Sequence, residues 1–252
     1  MVASLMMYHR PELIKAHQSY WELVRQHLAH LGIEAPKTLS QDRDEFWVWK
    51  HPQLLLSQTC GMPYRLWLHD QVSLVGTPDY DLKDCPAGYY RSALVVRRDD
   101  DRTGLTSFQN ETFAYNQTFS QSGYAAPYTK MTDEQGSWFT KRLETGQHLD
   151  SARAVSDGRA DIASIDAVTW RLIQRYEAFA EKLRVLDWTT PTPALPLITA
   201  LHNDAGKIFE AVKGAIFDLE EADRQDLGLK GILEIPKAKY LEIPNPPQEL
   251  EK

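Results

Sequence analysis

Phe113-Ala114-Tyr115, followed after a short link by Ser120-Gln121-Ser122-Gly123-Tyr124, is the stretch whose reading decides the fold. An apolar and aromatic triplet reads as a strand. Two hydroxyls and a glycine then read as the start of a helix. Unpaired backbone N–H groups at a helix N-terminus, with the helix dipole behind them, form a ready anion site. Serine hydroxyls add donors, and a glycine lets the backbone approach a ligand. The same residues also serve as a plain serine N-cap, so this segment by itself leaves both readings open.

The alternation of strand and helix extends outward from there. Residues 1–7 read as a first strand, and Pro11 suits the first turn of a helix. Leu13, His17, Tyr20, Trp21, Val24, Leu28 and Leu31 keep helical spacing up to a stop at Gly32. Residues 54–56, 72–75 and 89–97 read as strands. On the other side, a helix is expected from Asp150 or Ser151 to Asp157, with His148 just before it. A buried strand follows over 162–165 and a helix over 167–176. Strands are expected over 183–186 and 197–201, a helix over 204–221, and an irregular proline-rich tail over 241–252.

Short strands alternating with helices predict an α/β chain with mostly parallel sheets. Ligands of such sheets sit at the carboxyl ends of the strands. Polar clusters fall at those ends here: Tyr8-His9-Arg10, Ser57-Gln58-Thr59-Cys60-Gly61, Thr77 to Tyr80, Ser120 to Gly123, and the surroundings of Asp166.

Composition narrows the function classes. The chain has 252 residues and a formal charge of −7, and basic residues form no long run. A broad phosphate-neutralising face is therefore not expected, and nucleic acid is not an expected partner. Net acidity does not exclude a small anion, because a local cradle of N–H groups sets such a site. No stretch approaches the roughly 18 apolar residues of a membrane span, and no secretory leader is visible at the start. A periplasmic location is expected if a leader is missing from this sequence, and a cytoplasmic one otherwise. The two cysteines, Cys60 and Cys85, make neither a disulfide framework nor a metal site.

Single residues carry plain and functional readings side by side. His148 near a helix start is a structural or exposed histidine, or a donor to an oxyanion. Asp166 caps the helix that follows it, or accepts from an ammonium or hydroxyl of a ligand. Cys60 beside a glycine is a packed thiol, or a nucleophile lacking a legible histidine partner. Tyr8, Tyr64, Tyr80, Tyr89 and Tyr90 pack the core or wall a polar pocket.

An ordered set of segments resembles the phosphate/phosphonate-type substrate-binding components of ABC transporters. It comprises Gly88-Tyr89-Tyr90-Arg91-Ser92-Ala93-Leu94-Val95-Val96-Arg97 and Ser120-Gln121-Ser122-Gly123-Tyr124 with Pro127. Gly146-Gln147-His148 with Ser151, Val155 and Gly158 follows, then Ala160-Asp161-Ile162-Ala163 leading to Asp166. The resemblance implies a type II periplasmic-binding-protein fold with two α/β lobes and two crossover strands. Lobe 1 would be residues 1–93 and 192–252, and lobe 2 residues 94–191. Hinges would lie in 91–96 and 190–195.

The resemblance further implies that Ser120, Gln121, Ser122, Gly123 and His148 hold the oxyanion. The crossover tyrosine matches Tyr90, or Tyr89. Asp166 matches a carboxylate that meets a ligand amine. Tyr8, Gln58 and Thr59, from the polar clusters at the first lobe's strand ends, are expected as further ligand contacts. Gln121 stands where such proteins often carry a smaller hydroxyl residue, and the first-lobe loop 57–64 departs from the usual pattern. The expected ligand is a small phosphonate- or phosphate-like oxyanion, the protein partner an ABC transporter permease, and the state a monomer. No catalytic residue, metal or cofactor is expected. A cytoplasmic ligand sensor of the same fold is the alternative, and a thiamine-pyrimidine-synthase-like enzyme relying on Cys60 is a further one.

Overall fold

The computed structural model of the chain describes residues 1–247. Its strands are β1 Val2–Ser4, β2 Leu54–Gln58, β3 Val72–Asp79, β4 Tyr89–Tyr90, β5 Ser92–Arg97 and β6 Thr112–Tyr115. They continue with β7 Lys141–Glu144, β8 Ile162–Asp166, β9 Leu183–Trp188, β10 Thr192–Pro193, β11 Leu197–Ala200 and β12 Gly231–Leu233. The helices are α1 Ile14–His30, α2 Glu45–Trp49, α3 Gly61–Pro63, α4 Ala126–Gln135 and α5 His148–Ser156, then α6 Ala167–Tyr176, α7 Ala205–Asp218, α8 Glu221–Leu227 and α9 Lys237–Leu241. A wider π-helical turn, Tyr64–Leu68, extends α3, and another, Gln121–Ala125, leads into α4.

The chain divides into two compact units. The first takes Met1–Tyr89 and Pro193–Leu241, and the second takes Tyr90–Thr192 with residues 242–247. The crossings therefore fall at 89/90, 192/193 and 241/242. The expected first boundary at 93/94 is displaced because Ser92–Arg97 is an interior strand of the second unit. Residues 92–96 of the expected first hinge lie within this strand, with Ala93, Leu94, Val95 and Val96 at most 1% exposed. The tail up to residue 247 carries no helix or strand beyond α9. Residues 248–252 of the expected tail lie outside the described residues.

The second unit has the sheet order β7-β6-β8-β5-β9. β6 runs parallel to both β7 and β8, whereas β5 is antiparallel to β8 and β9. Four strands thus share one sense and β5 opposes them, so the mostly parallel expectation becomes a mixed sheet. The apolar run of β5 is explained by helices on both faces. Ala93 and Val95 pack with Ala152, Val155, Trp170 and Ile173 on one side. Leu94 and Val96 pack with Phe108, Phe113, Tyr124 and Met131 on the other. This period of two is what a pleated strand imposes.

The first unit has the order β1-β2-β11-β3-β12. β1 and β2 are parallel, and the returning strand β11 inserts antiparallel between β2 and β3. α1 buries Ala16, His17, Tyr20, Trp21, Val24 and Leu28 at helical spacing. It ends at Gly32, whose φ of 72° is the left-handed geometry that favours glycine. Ile33 N donates to Leu28 O there at 2.9 Å, closing the last turn.

Candidate functional site

The carboxyl ends of β6, β7 and β8 lie on one edge of the second unit, because these three strands are parallel. The register pairs Phe113 with Ile162 and Ala114 with Ala163, and this brings the end of β6 beside Ser164. Three turns leave this edge, and hydrogen bonds tie them into one arrangement.

The first is the Ser120 turn. Ser120 caps the following helix, its Oγ accepting from Gly123 N at 3.0 Å. That leaves the Ser120 hydroxyl hydrogen to donate. Ser120, Gln121 and Ser122 are all buried. Tyr124 N and Ala125 N both donate to Ser120 O, at 3.1 and 2.9 Å, which widens the first turn into a π-helical one. Such turns are frequent at functional sites.

The second turn leads from β7 into α5. His148 is the first residue of that helix, not the residue before it as expected, since Gln147 is the extended flanking residue. His148 Nε2 lies 2.9 Å from Ser122 Oγ. The pair resembles the hydrogen-bonded serine and imidazole of many sites in its geometry alone. Burial pushes the imidazole down to about 4, with the Ser164 backbone opposing that shift, so the ring is neutral at pH 7. A neutral pair holds two hydrogens, one on each partner, and their mutual bond uses one. With the imidazole proton on Nε2, donated to Ser122 Oγ, the hydrogen that remains is the one on Ser122 Oγ, and it suits an oxyanion.

The third is β8 itself. Ser164 is fully buried, and its Oγ donates to Ser122 O at 2.6 Å. This fixes the serine turn against the sheet. Sequence reading did not single out Ser164. Its signal is a hydroxyl inside the apolar run Ile162-Ala163-Ser164-Ile165, since a buried hydroxyl requires a partner. Asn116, directly after β6, is a second residue not singled out. Its Oδ1 would stand 1.9 Å from a Cβ placed on Gly123, so a side chain at position 123 would displace Asn116.

The other expected site residues fall as follows. Asp166 is 2% exposed, and its Oδ1 accepts from Val168 N and Thr169 N at 2.8 and 2.9 Å. It therefore caps α6. Tyr90 is buried two residues before Ser92, which pairs with Asp166, and so it lies at this same edge. Gln58, Thr59 and Tyr8 belong to the first unit. Gln58 Nε2 donates to Tyr80 OH and to Leu195 O, both at 3.0 Å. Tyr8 meets Tyr80 edge-on at 5.1 Å. Gln58, Tyr80 and Tyr8 thus form one cluster, whereas Thr59 turns its Oγ1 to Cys60 O. Cys60 and Cys85 are free thiols. Among the described residues no group of three or more His, Cys, Asp or Glu is placed to hold a metal ion, and no helix is long and apolar enough to cross a membrane.

His17, 8% exposed in the first unit, is held down to about 4 as well, by burial first and then by His9, against the Tyr8 backbone. Both rings titrate near 6.5 when unfolded, so below that pH the unfolded chain binds more protons. The stability conferred by the two neutral rings is complete above pH 6.5. It is lost as the pH falls from there towards 4, on the order of 3 kcal/mol for each ring. Urea unfolding between pH 7.5 and pH 4.5 should show a falling midpoint, with a smaller fall in His148→Gln. A midpoint that stays level down to pH 5 would contradict the burial of uncharged rings.

Residues 69–240 match a family model described as the periplasmic phosphonate substrate-binding protein of ABC transporters. No curated protein matches the chain. Among solved structures, PhnD1 from Prochlorococcus marinus in complex with methylphosphonate is 16% identical, with a TM-score of 0.69 over 95% of this chain and 93% of that one. A binding-protein component of an ABC phosphonate transporter from Pseudomonas aeruginosa is 15% identical, with a TM-score of 0.68 over 96% and 83%. A Xanthomonas citri protein bound to ATP is 14% identical, with a TM-score of 0.69 over 94% and 91%. At these identities the likeness is one of fold, the type II periplasmic-binding-protein fold.

Proposed function

The chain belongs to the periplasmic phosphonate substrate-binding proteins of ABC transporters, and from that premise we propose that it takes up a small phosphorus oxyanion on its second unit. The site is the Ser120 turn, with His148 beside it. The observation that carries this reading is the chain of bonds Ser164 Oγ–Ser122 O, Ser122 Oγ–His148 Nε2 and Gly123 N–Ser120 Oγ. It holds two serine hydroxyls at one helix start and sets the neutral imidazole that begins α5 against the second of them. Hydrogen bonds to a charged group contribute about 1.5–3 kcal/mol each. Four or five of them, less ordering costs, support binding near −8 kcal/mol, roughly micromolar.

Tyr90, at the same edge of the second unit, is proposed as a further ligand contact. Within the first unit Gln58 orients Tyr80, because its amide hydrogens are already taken. Asp166 acts as a helix cap, and the reading needs no amine on the ligand. Delivery of the ligand to an ABC transporter permease, in the periplasm, and the absence of catalysis accord with family membership.

The test is a thermal-shift series of the full chain with phosphate, phosphite, methylphosphonate, 2-aminoethylphosphonate, sulfonates and short carboxylates. A ligand at 100 times its Kd adds about 2.7 kcal/mol. For a chain of this size that raises the Tm by about 5–10 °C. A shift with a phosphorus oxyanion is expected. A shift confined to carboxylates would overturn the reading.

A further inference from the structure

Asn116 is the first residue beyond β6, and two turns of the site meet at it. Its backbone carbonyl accepts from Gly146 N at 2.8 Å, which ties it to the turn entering α5. Its side chain points the other way, towards the Ser120 turn. The point where a Cβ on Gly123 would sit is 1.9 Å from Asn116 Oδ1, 3.0 Å from Asn116 Cγ and 3.2 Å from His148 Cε1. The carboxamide and the imidazole therefore face the same glycine. Asn116 Oδ1 is buried and has no hydrogen-bond partner. A buried amide oxygen without a donor costs about 1–3 kcal/mol, and such a group calls for an explanation in function.

The chemistry of its neighbours supplies that explanation. The Ser120 hydroxyl and, with the imidazole proton on Nε2, the Ser122 hydroxyl each present a hydrogen, which suits an ionised oxygen. Asn116 Oδ1 presents a lone pair, which suits an oxygen that still carries its proton. Monoanions of phosphonates and phosphite carry such a P–OH, and so does hydrogen phosphate. Sulfonates and sulfate have the same tetrahedral shape but no proton at neutral pH. Against them a buried acceptor is a lone pair facing a lone pair, an arrangement that rejects the wrong partner strongly.

We propose that Asn116 is a specificity-determining residue of this site, its Oδ1 accepting the hydrogen of a protonated phosphorus oxyanion and so rejecting isosteric sulfur oxyanions. This rests on the binding reading above and names the ligand feature that the site reads.

The experiment is calorimetric titration of the full chain and of Asn116→Ala and Asn116→Ser. The probes are methylphosphonate, phosphite and phosphate against methanesulfonate and sulfate. Melting curves show that each variant is folded, and the serine variant serves where alanine leaves too large a void. The wild type is expected to prefer a phosphorus oxyanion over its sulfur isostere by more than tenfold. Asn116→Ala should weaken the phosphorus ligand about tenfold and leave the sulfur ligand within twofold, collapsing the preference. Equal weakening of both classes, or no change in either, would overturn the proposal while leaving the binding reading intact. So would a wild type that takes sulfonate as well as phosphonate, the result expected if the carboxamide is turned to present its N–H₂. Failure of every phosphorus oxyanion to bind the wild type would overturn both.

Discussion

Ser122→Asp is expected to abolish oxyanion binding while the protein stays folded. Ser122 is 4% exposed, with its carbonyl anchored by Ser164 and its hydroxyl on His148 Nε2. A carboxylate at that position would lie in hydrogen-bonding reach of the imidazole. The ring would then hold a proton it otherwise lacks, and the resulting ion pair would limit the damage to folding. The same pair would place a fixed negative charge where the ligand anion belongs. Like charges set side by side in a binding site cost several kcal/mol, and the Ser122 hydroxyl hydrogen is lost as well, so the Kd should rise by more than about 100-fold. Ser122→Ala removes a single bond and should weaken binding by only about 1–2 kcal/mol. Titration of each variant with the ligand found by thermal shift, and His148 imidazole resonances followed against pH, provide the check. Unaltered binding by Ser122→Asp would show that the anion site lies elsewhere.

Tyr240→Ala is expected to be strongly destabilising. Tyr240 is fully buried near the end of the short helix α9. Its hydroxyl reaches Thr77 Oγ1 at 2.5 Å and donates to Ala194 O at 3.0 Å, and its ring meets Tyr64 edge-on at 5.4 Å. A five-residue helix has little stability of its own, so this side chain carries the attachment of α9 to β3 and to the chain after β10. Removing a buried aromatic ring costs about 3–5 kcal/mol, and two polar partners are left behind. The Tm should fall on the order of 10 °C. Tyr240→Phe keeps the ring and should lose about 1–3 kcal/mol. Differential scanning calorimetry of both variants distinguishes ring from hydroxyl, and an alanine variant within 2 °C of wild type would refute the role.

Several elements were legible because their signals are local. Asp166 followed by an amphipathic run predicts the α6 cap, and the α6 bounds agree with the expected 167–176. The Ser120 cap and the Gly32 stop are local in the same way. β7 was not legible. Lys141-Arg142-Leu143-Glu144 is a half-exposed edge strand, so no apolar alternation marks it. The start of α5 at His148 was also misplaced, since Gln147 makes no side-chain cap that would announce it.

The sequence by itself determined the class of the molecule: α/β units, polar turns at strand ends, and a serine-glycine helix start suited to an anion. These follow from periodicity, capping and glycine geometry, which act over a few residues. Only the tertiary structure decided which polar groups meet. Ser122 reaches His148 across 26 positions and Ser164 across 42, while Tyr240 reaches Thr77 across 163. It alone set β5 and β11 antiparallel among their neighbours, turned Gln58 to Tyr80, and lodged Asn116 Oδ1 against Gly123. Such pairings arise because a buried donor or acceptor takes whatever partner packing brings within 3 Å or so. Packing is decided by the burial of apolar faces far apart in the chain, so no window of local sequence contains it.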